Sequence, residues 1–138
     1  ANAQLFYVFA DSDGDLWFFL NPGYSRGLFR LNPKSKEWKH YTTETPVALS
    51  SIMVRDVAED MNGNIWIATD HGGINYGHGG VSTDEMIVPW GITGPGIKKG
   101  FKITEANNTV NTAATILHLF KVKQPLSWTG EVIESIFK

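Results

Sequence analysis

Glu59-Asp60-Met61-Asn62-Gly63-Asn64-Ile65-Trp66-Ile67-Ala68-Thr69 is the stretch on which the fold turns. Asn62-Gly63 are residue types that tolerate positive φ, as a tight hairpin turn demands. Ile65-Trp66-Ile67 is short, β-branched and aromatic, the composition of a strand. Val54-Arg55-Asp56-Val57-Ala58 leads into the turn as the opposite arm. The same order stands earlier in the chain. Asp13-Gly14-Asp15-Leu16-Trp17-Phe18 aligns with Asn62-Gly63-Asn64-Ile65-Trp66-Ile67, with Trp17 and Trp66 49 residues apart.

Outward from this pair, residues 5 to about 69 read as antiparallel β. Leu5–Phe9 is apolar and aromatic and stops at Asp11-Ser12-Asp13-Gly14. Leu16–Leu20 is a second strand, ended by Asn21-Pro22-Gly23. Gly27–Leu31 is a third, and Trp38–Tyr41 a short fourth after the turn Asn32-Pro33-Lys34-Ser35. A repeat of about 40 to 50 residues carrying four strands has the period of a β-propeller blade. Such a unit buries its faces only against neighbouring units.

Residues 5–75 resemble the propeller repeats of periplasmic sensor regions in two-component regulators. The carriers are Glu59-Asp60-x-Asn62-Gly63-Asn64-Ile65-Trp66-Ile67-Ala68-Thr69, its earlier copy around Trp17, Gly27-Leu28-Phe29-Arg30-Leu31-Asn32, and Trp38…Tyr41. The resemblance implies antiparallel blades and an extracytoplasmic ligand-sensing role, with a glycan as one ligand class. A propeller closes with about four to eight blades, and about one and a half are present.

From about residue 77 the pattern changes. Val81 to Pro95 shows no clean period-2 run. Asn111-Thr112 is expected to cap a helix whose face carries Ala113, Ile116, Leu117 and Phe120, with Gln124-Pro125 as its stop. Val132, Ile133, Ile136 and Phe137 suggest a short terminal helix.

The chemically informative string is Thr69-Asp70-His71-Gly72-Gly73, followed by Gly77-His78-Gly79-Gly80. Carboxylate oxygen and imidazole nitrogen are ligands for zinc or manganese. Asp70, His71 and His78 are therefore candidate metal ligands, with flanking glycines leaving room for a substrate oxyanion. They follow an apolar strand, the end at which α/β enzymes place ligand groups. A solvated glycine-rich turn is the alternative reading of the same residues. Asp11, Asp13 and Asp15 hold part of a calcium-loop pattern without its closing Glu, so a plain turn is expected. Trp17, Trp38 and Trp66 are expected as core anchors, and His40 and His118 as ordinary positions without a visible partner.

From Asp70 to the C-terminus the chain resembles the C-terminal segment of the alkaline phosphatase superfamily, in its phosphodiesterase, nucleotide pyrophosphatase and sulfatase-like branch. The carriers are Asp70-His71-Gly72-Gly73, His78-Gly79-Gly80, Glu85-Met86-x-Val88-Pro89-Trp90, Gly94–Gly100 and Asn111–Ile116. The resemblance implies an α/β fold. It also implies a two-metal site, with Asp70 and His71 on one ion and His78 on the other, acting on a phosphate or sulfate ester. The family's nucleophile and its remaining metal ligands would lie upstream of Asp70, where the propeller-like repeats stand. No catalytic residue is therefore assigned, and the portion is expected to be inactive alone. Asn62–Asn75 fits both families, so the chain reads as a chimera divided at 1–69 and 70–138.

Composition sets the outer limits. Lys plus Arg is 12 and Asp plus Glu is 14, a net charge of −2. That balance argues against nucleic acid or an anionic membrane as partner. No apolar run approaches the about 18 residues of a membrane helix. Cysteine is absent, which excludes disulfides, thiolate metal sites and thiol catalysis. Ala1-Asn2-Ala3 has the small-x-small form left by signal-peptide cleavage. A periplasmic or secreted location is expected. So is a mixed fold, antiparallel β first and α/β after it, with neither family fold complete. Unburied sheet faces would promote association between copies.

Overall fold

The computed structural model describes residues 5–20, 27–45, 49, 51–73 and 79–138. The chain forms two units, residues 1–95 and residues 96–138. Residue 70, where the resemblance changes family, lies inside the first.

Among the described residues, the first unit holds two antiparallel sheets. β1 (Leu5–Ala10), β2 (Leu16–Leu20), β3 (Leu28–Leu31) and β4 (Trp38–Tyr41) pair in chain order. These are the four expected strands. β5 (Asp56–Glu59), β6 (Ile65–Ala68) and β7 (Gly91–Thr93) form the second sheet, again in chain order. The hairpins are built alike. Gly14 N–H donates to Asp11 O at 2.9 Å, and Gly63 N–H to Asp60 O at 2.9 Å. Gly14 and Gly63 both take positive φ, 85° and 76°, where a side chain would strain the turn.

The repeat extends beyond the two hairpins. β7 pairs with β6 as β3 pairs with β2: Ile65 faces Thr93 where Leu16 faces Leu31. Leu31 and Thr93 stand 62 residues apart, whereas Leu16 and Ile65 stand 49 apart, so the second connection is 13 residues longer. The expectation that the pattern ends near residue 77 is thus corrected. β7 has only three residues, Gly91-Ile92-Thr93, too few for an alternating run to show.

The core lies between the sheets. Trp17, Phe19 and Leu28 of the first pack with Val57, Ile65 and Ile67 of the second, joined by Leu49 and Val54. Burial alternates along β2 and β6 as period 2 requires, but in opposite phase. Trp17 and Phe19 are buried in β2, whereas their counterparts Trp66 and Ala68 are the half-exposed residues of β6. The sheets therefore meet by unlike faces.

The second unit contains one ten-residue helix, Val110–Leu119 (here α2, after the single-turn α1, Thr83–Met86), and a 3-10 turn, Glu134–Ile136. The turn stands where a terminal helix is expected. An isolated antiparallel bridge joins Ile97 to Phe137. The buried face of α2 is Asn111, Ala114 and Thr115, in place of the expected Ala113, Ile116 and Leu117. The reason is polar. Asn111 Oδ1 accepts from Glu131 N–H at 3.1 Å, and Thr115 Oγ1 accepts from Ile133 N–H at 3.1 Å. These bonds lay the C-terminal segment along that face. Asn111 is thus engaged inside the helix, and Thr109 is the N-cap. The helix stops at Leu119, before Gln124-Pro125. Lys121 turns left-handed (φ 56°) and Val122 N–H closes on Leu117 O at 2.9 Å, a Schellman-type end.

Every strand pair among the described residues is antiparallel. The α/β arrangement implied for residues 70–138 is not what these residues build: 91–93 complete an antiparallel sheet and 96–138 hold a helix, a turn and one bridge.

Candidate functional site

The most regular feature of the first unit is a carboxylate–tryptophan lock, present twice. Asp11 Oδ2 accepts from Trp17 Nε1 at 2.7 Å, and Asp60 Oδ2 accepts from Trp66 Nε1 at 2.7 Å. The other oxygen of each closes its own turn. Asp11 Oδ1 takes Asp15 N–H at 2.8 Å, and Asp60 Oδ1 takes Asn64 N–H at 3.0 Å. A carboxylate six residues before a tryptophan thus ties the turn to the middle of the next strand.

Two of the three carboxylates of the first turn, Asp11 and Asp15, are committed. Asp15 is 1 % exposed. It forms an ion pair with Arg30 and accepts from Asn32 Nδ2 at 2.6 Å. Asp11 holds Trp17. These bonds agree with a plain turn at Asp11–Asp15 and leave its acidic pattern a structural role. In the second sheet Ile92 stands opposite Trp66, where Arg30 stands opposite Trp17. With no cation there, the buried residue is the neutral Asn64, whose Nδ2 donates to both Asp60 oxygens at 3.2 and 3.0 Å.

Asp60 also accepts from Asn62 N–H at 2.8 Å. Burial disfavours its ionised form, but the donors from Trp66, Asn64 and Asn62 outweigh burial and hold its pKa below the ordinary 3.8. A carboxylate depressed on folding stabilises the fold above its unfolded pKa. That contribution disappears as pH falls from about 4 through the lower folded value. Denaturant unfolding from about pH 6 to about pH 3 is expected to show this loss in the wild type. In Asp60→Asn the pH dependence is shallower and the deficit relative to wild type narrows below about pH 4.

Thr69–Gly73 follows β6 directly. Because β6 is antiparallel to both neighbours, the rule that places ligands at the C-terminal ends of parallel strands does not reach Asp70. The Asp70 side chain is 81 % exposed and that of His71 38 %. His71 Nδ1–H donates to Gly72 O at 2.6 Å, and Nε2 lies 3.7 Å from Asp70 Oδ2. His78 lies outside the described residues. Among the described residues no group of three His, Asp or Glu side chains converges for a metal ion. Both Gly72 and Gly73 bond to the segment around α1 through their backbone. Gly72 N–H donates to Glu85 O and Gly73 N–H to Asp84 O, both at 2.9 Å. A Cβ on Gly72 would run into Asp84 O, so this glycine admits a backbone contact rather than leaving space for a substrate oxygen.

Comparison with known proteins bears on the first unit. Residues 48–71 match the family model described as two component regulator propeller. No curated protein and no solved structure matches the chain. The matched stretch contains β5, β6 and the Asp60–Trp66 lock. Nothing in the comparisons supports an alkaline-phosphatase-like segment in residues 70–138. Among the described residues no helix is long and apolar enough to cross a membrane.

Three aromatic positions differ in their surroundings. Trp17 is a core residue, as expected, and 2 % exposed. Trp66 is half-buried, with Trp90 edge-on at 6.2 Å between ring centres. Trp38, expected in the core, is exposed on the edge strand β4. His40 has a partner: it stacks on Phe29 at 4.1 Å, and Phe29 stacks on Phe18 at 5.4 Å. His118 lies 3.8 Å from Glu134 and 5.0 Å from the Phe137 ring. The row of aromatics on the outer face of the first sheet is a feature that sequence reasoning missed. Its signal is present as the alternate residues of β2 and β3.

Proposed function

We propose that the first unit is part of an extracytoplasmic sensing module of a two-component regulatory system, built from propeller-type blades and responding to a glycan. The observation that carries this reading is the duplicated lock. The segment that matches the two component regulator propeller contains Asp60–Trp66, and the same bonds recur 49 residues earlier at Asp11–Trp17. A small net charge of −2 suits a largely neutral ligand. Thermal unfolding against a panel of neutral and uronic-acid oligosaccharides tests the proposal. Binding to the folded state alone raises stability by about 2.7 kcal/mol at a hundredfold excess over Kd. A selective rise in Tm with one class of oligosaccharide is expected. No shift with any of them overturns the glycan reading.

A second reading concerns Asp70 and His71, two of the three zinc or manganese ligands suggested by the sequence, the third being His78. The bond from His71 Nδ1–H to Gly72 O favours it, because metal-ligating histidines commonly anchor their second nitrogen on a carbonyl. Equilibration with trace zinc or manganese, wild type beside His71→Ala, is the measurement. About one ion per chain, absent from the variant, supports a metal-binding turn. No bound ion in either protein removes it.

A further inference from the structure

The opposite burial phases of β2 and β6 have a consequence for the outer surface of the first sheet. Val57, Ile65 and Ile67 form the face of the second sheet that is covered by Trp17, Phe19 and Leu28. Their counterparts 49 residues earlier are Val8, Leu16 and Phe18. Those three lie on the other face of the first sheet, in register with Phe29 and Leu31. Val8 is 53 % exposed, and Leu16 and Phe18 are only half-buried. The first sheet thus carries two apolar faces. One is covered by the second sheet. The other is equivalent to the surface that the second sheet buries.

The complement of that surface is also on the chain. The outer face of the second sheet carries Ala58, Trp66 and Ile92 in register. It is the counterpart of the face through which the first sheet covers the second. A contact of this unlike-to-unlike kind does not use itself up. Each added copy presents the face that the next one needs.

We propose that the first-sheet face bearing Val8, Phe18 and Phe29 is an interface for a second copy of this chain, which docks the Ala58–Trp66–Ile92 face of its own second sheet. The occupant follows from the packing already within the chain, where one repeat covers the next by these same two faces. The interface rests on how the two sheets pack and not on what the module senses. Apolar sheet area of this kind is rarely left uncovered.

Sedimentation velocity from low micromolar to several hundred micromolar protein tests it. The wild type is expected to associate with rising concentration. Val8→Lys and Ala58→Lys each place a charge on one of the two faces, at positions exposed in the single chain. Each should keep the wild-type circular dichroism and melting profile at low concentration. Each should raise the apparent dissociation constant at least about tenfold. An equimolar mixture of the two variants retains one intact pair of faces. It should form a dimer that grows no further, because the remaining faces are both charged. A wild type that is monomeric throughout overturns the proposal. So does association that survives either substitution, which would indicate like-to-like pairing, and so does a mixture that stays monomeric.

Discussion

Phe19→Ala is expected to lower the stability of the first unit by about 3 to 5 kcal/mol. Phe19 is 1 % exposed, and its ring stacks on Tyr7 at 5.4 Å between centres. Truncation removes the transfer free energy of a buried ring and leaves a cavity between two sheets that cannot both collapse onto it. A domain with a total stability of about 5 to 15 kcal/mol has little margin for that loss. Phe18→Ala is the informative comparison, because it changes the same residue type one position away. Phe18 points to the opposite face, where it stacks on Phe29 and meets Trp38 edge-on at 5.6 Å. Measured at low protein concentration, its cost should be about 1 kcal/mol, the scale of a cross-strand aromatic pair. Denaturant unfolding of the two variants side by side is the check. Equal losses would mean that the first sheet buries both faces within a single chain.

The second large effect is expected at Arg30. Asp15 is a buried carboxylate whose charge is compensated by the Arg30 guanidinium and by Asn32. Removing one partner of such a pair leaves an uncompensated buried charge, at a cost of about 3 to 5 kcal/mol. Arg30 is 31 % exposed, so water reaches the vacated site and Arg30→Ala belongs near about 3 kcal/mol. The guanidinium also lies 5.3 Å from the centre of the Trp17 ring, and the same substitution removes that cation–π attraction. The second sheet shows how the position works without a cation, with Asn64 in place of Asp15 and Ile92 in place of Arg30. The double variant Asp15→Asn with Arg30→Ile should therefore recover most of the stability, as denaturant unfolding would measure it. A deficit of about 1 kcal/mol should remain, of the order of one imperfectly satisfied buried amide. A double variant as unstable as Arg30→Ala would mean that the two sheets do not share this site, and that the ion pair is not the main contribution.

Strand positions in the first unit are legible in the sequence because Asp11–Gly14 and Asp60–Gly63 are local turn signals between β-branched and aromatic runs. Both turns form within a few residues of chain, so nearest neighbours decide them. The helix in the second unit is legible as a helix for the same reason, but its buried face is not. Ala113, Ile116 and Leu117 form the more apolar stripe. The observed face is chosen by Asn111 and Thr115, through bonds to Glu131 and Ile133. No local pattern reports a partner about 20 residues away.

The candidate site divides in the same way. Sequence alone puts Asp70 and His71 directly after a strand, and they follow β6 there. It could not show that Gly72 and Gly73 bond to Glu85 and Asp84, nor that the Asp84 carbonyl fills the space a Cβ on Gly72 would need. Nor could it show β7, whose three residues form a strand because β6 offers them an edge.

By itself, then, the amino-acid sequence determined the repeat: two hairpins 49 residues apart, each with its positive-φ glycine and its tryptophan strand. Tertiary structure alone decided which face of each repeat is buried. Leu16 and Ile65 hold the same place in the repeat, yet only Ile65 is in the core. The physical reason is that alternation along a strand sets which residues share a face, while burial depends on what lies against that face. Both faces of these sheets are apolar, so the choice falls to the neighbouring sheet.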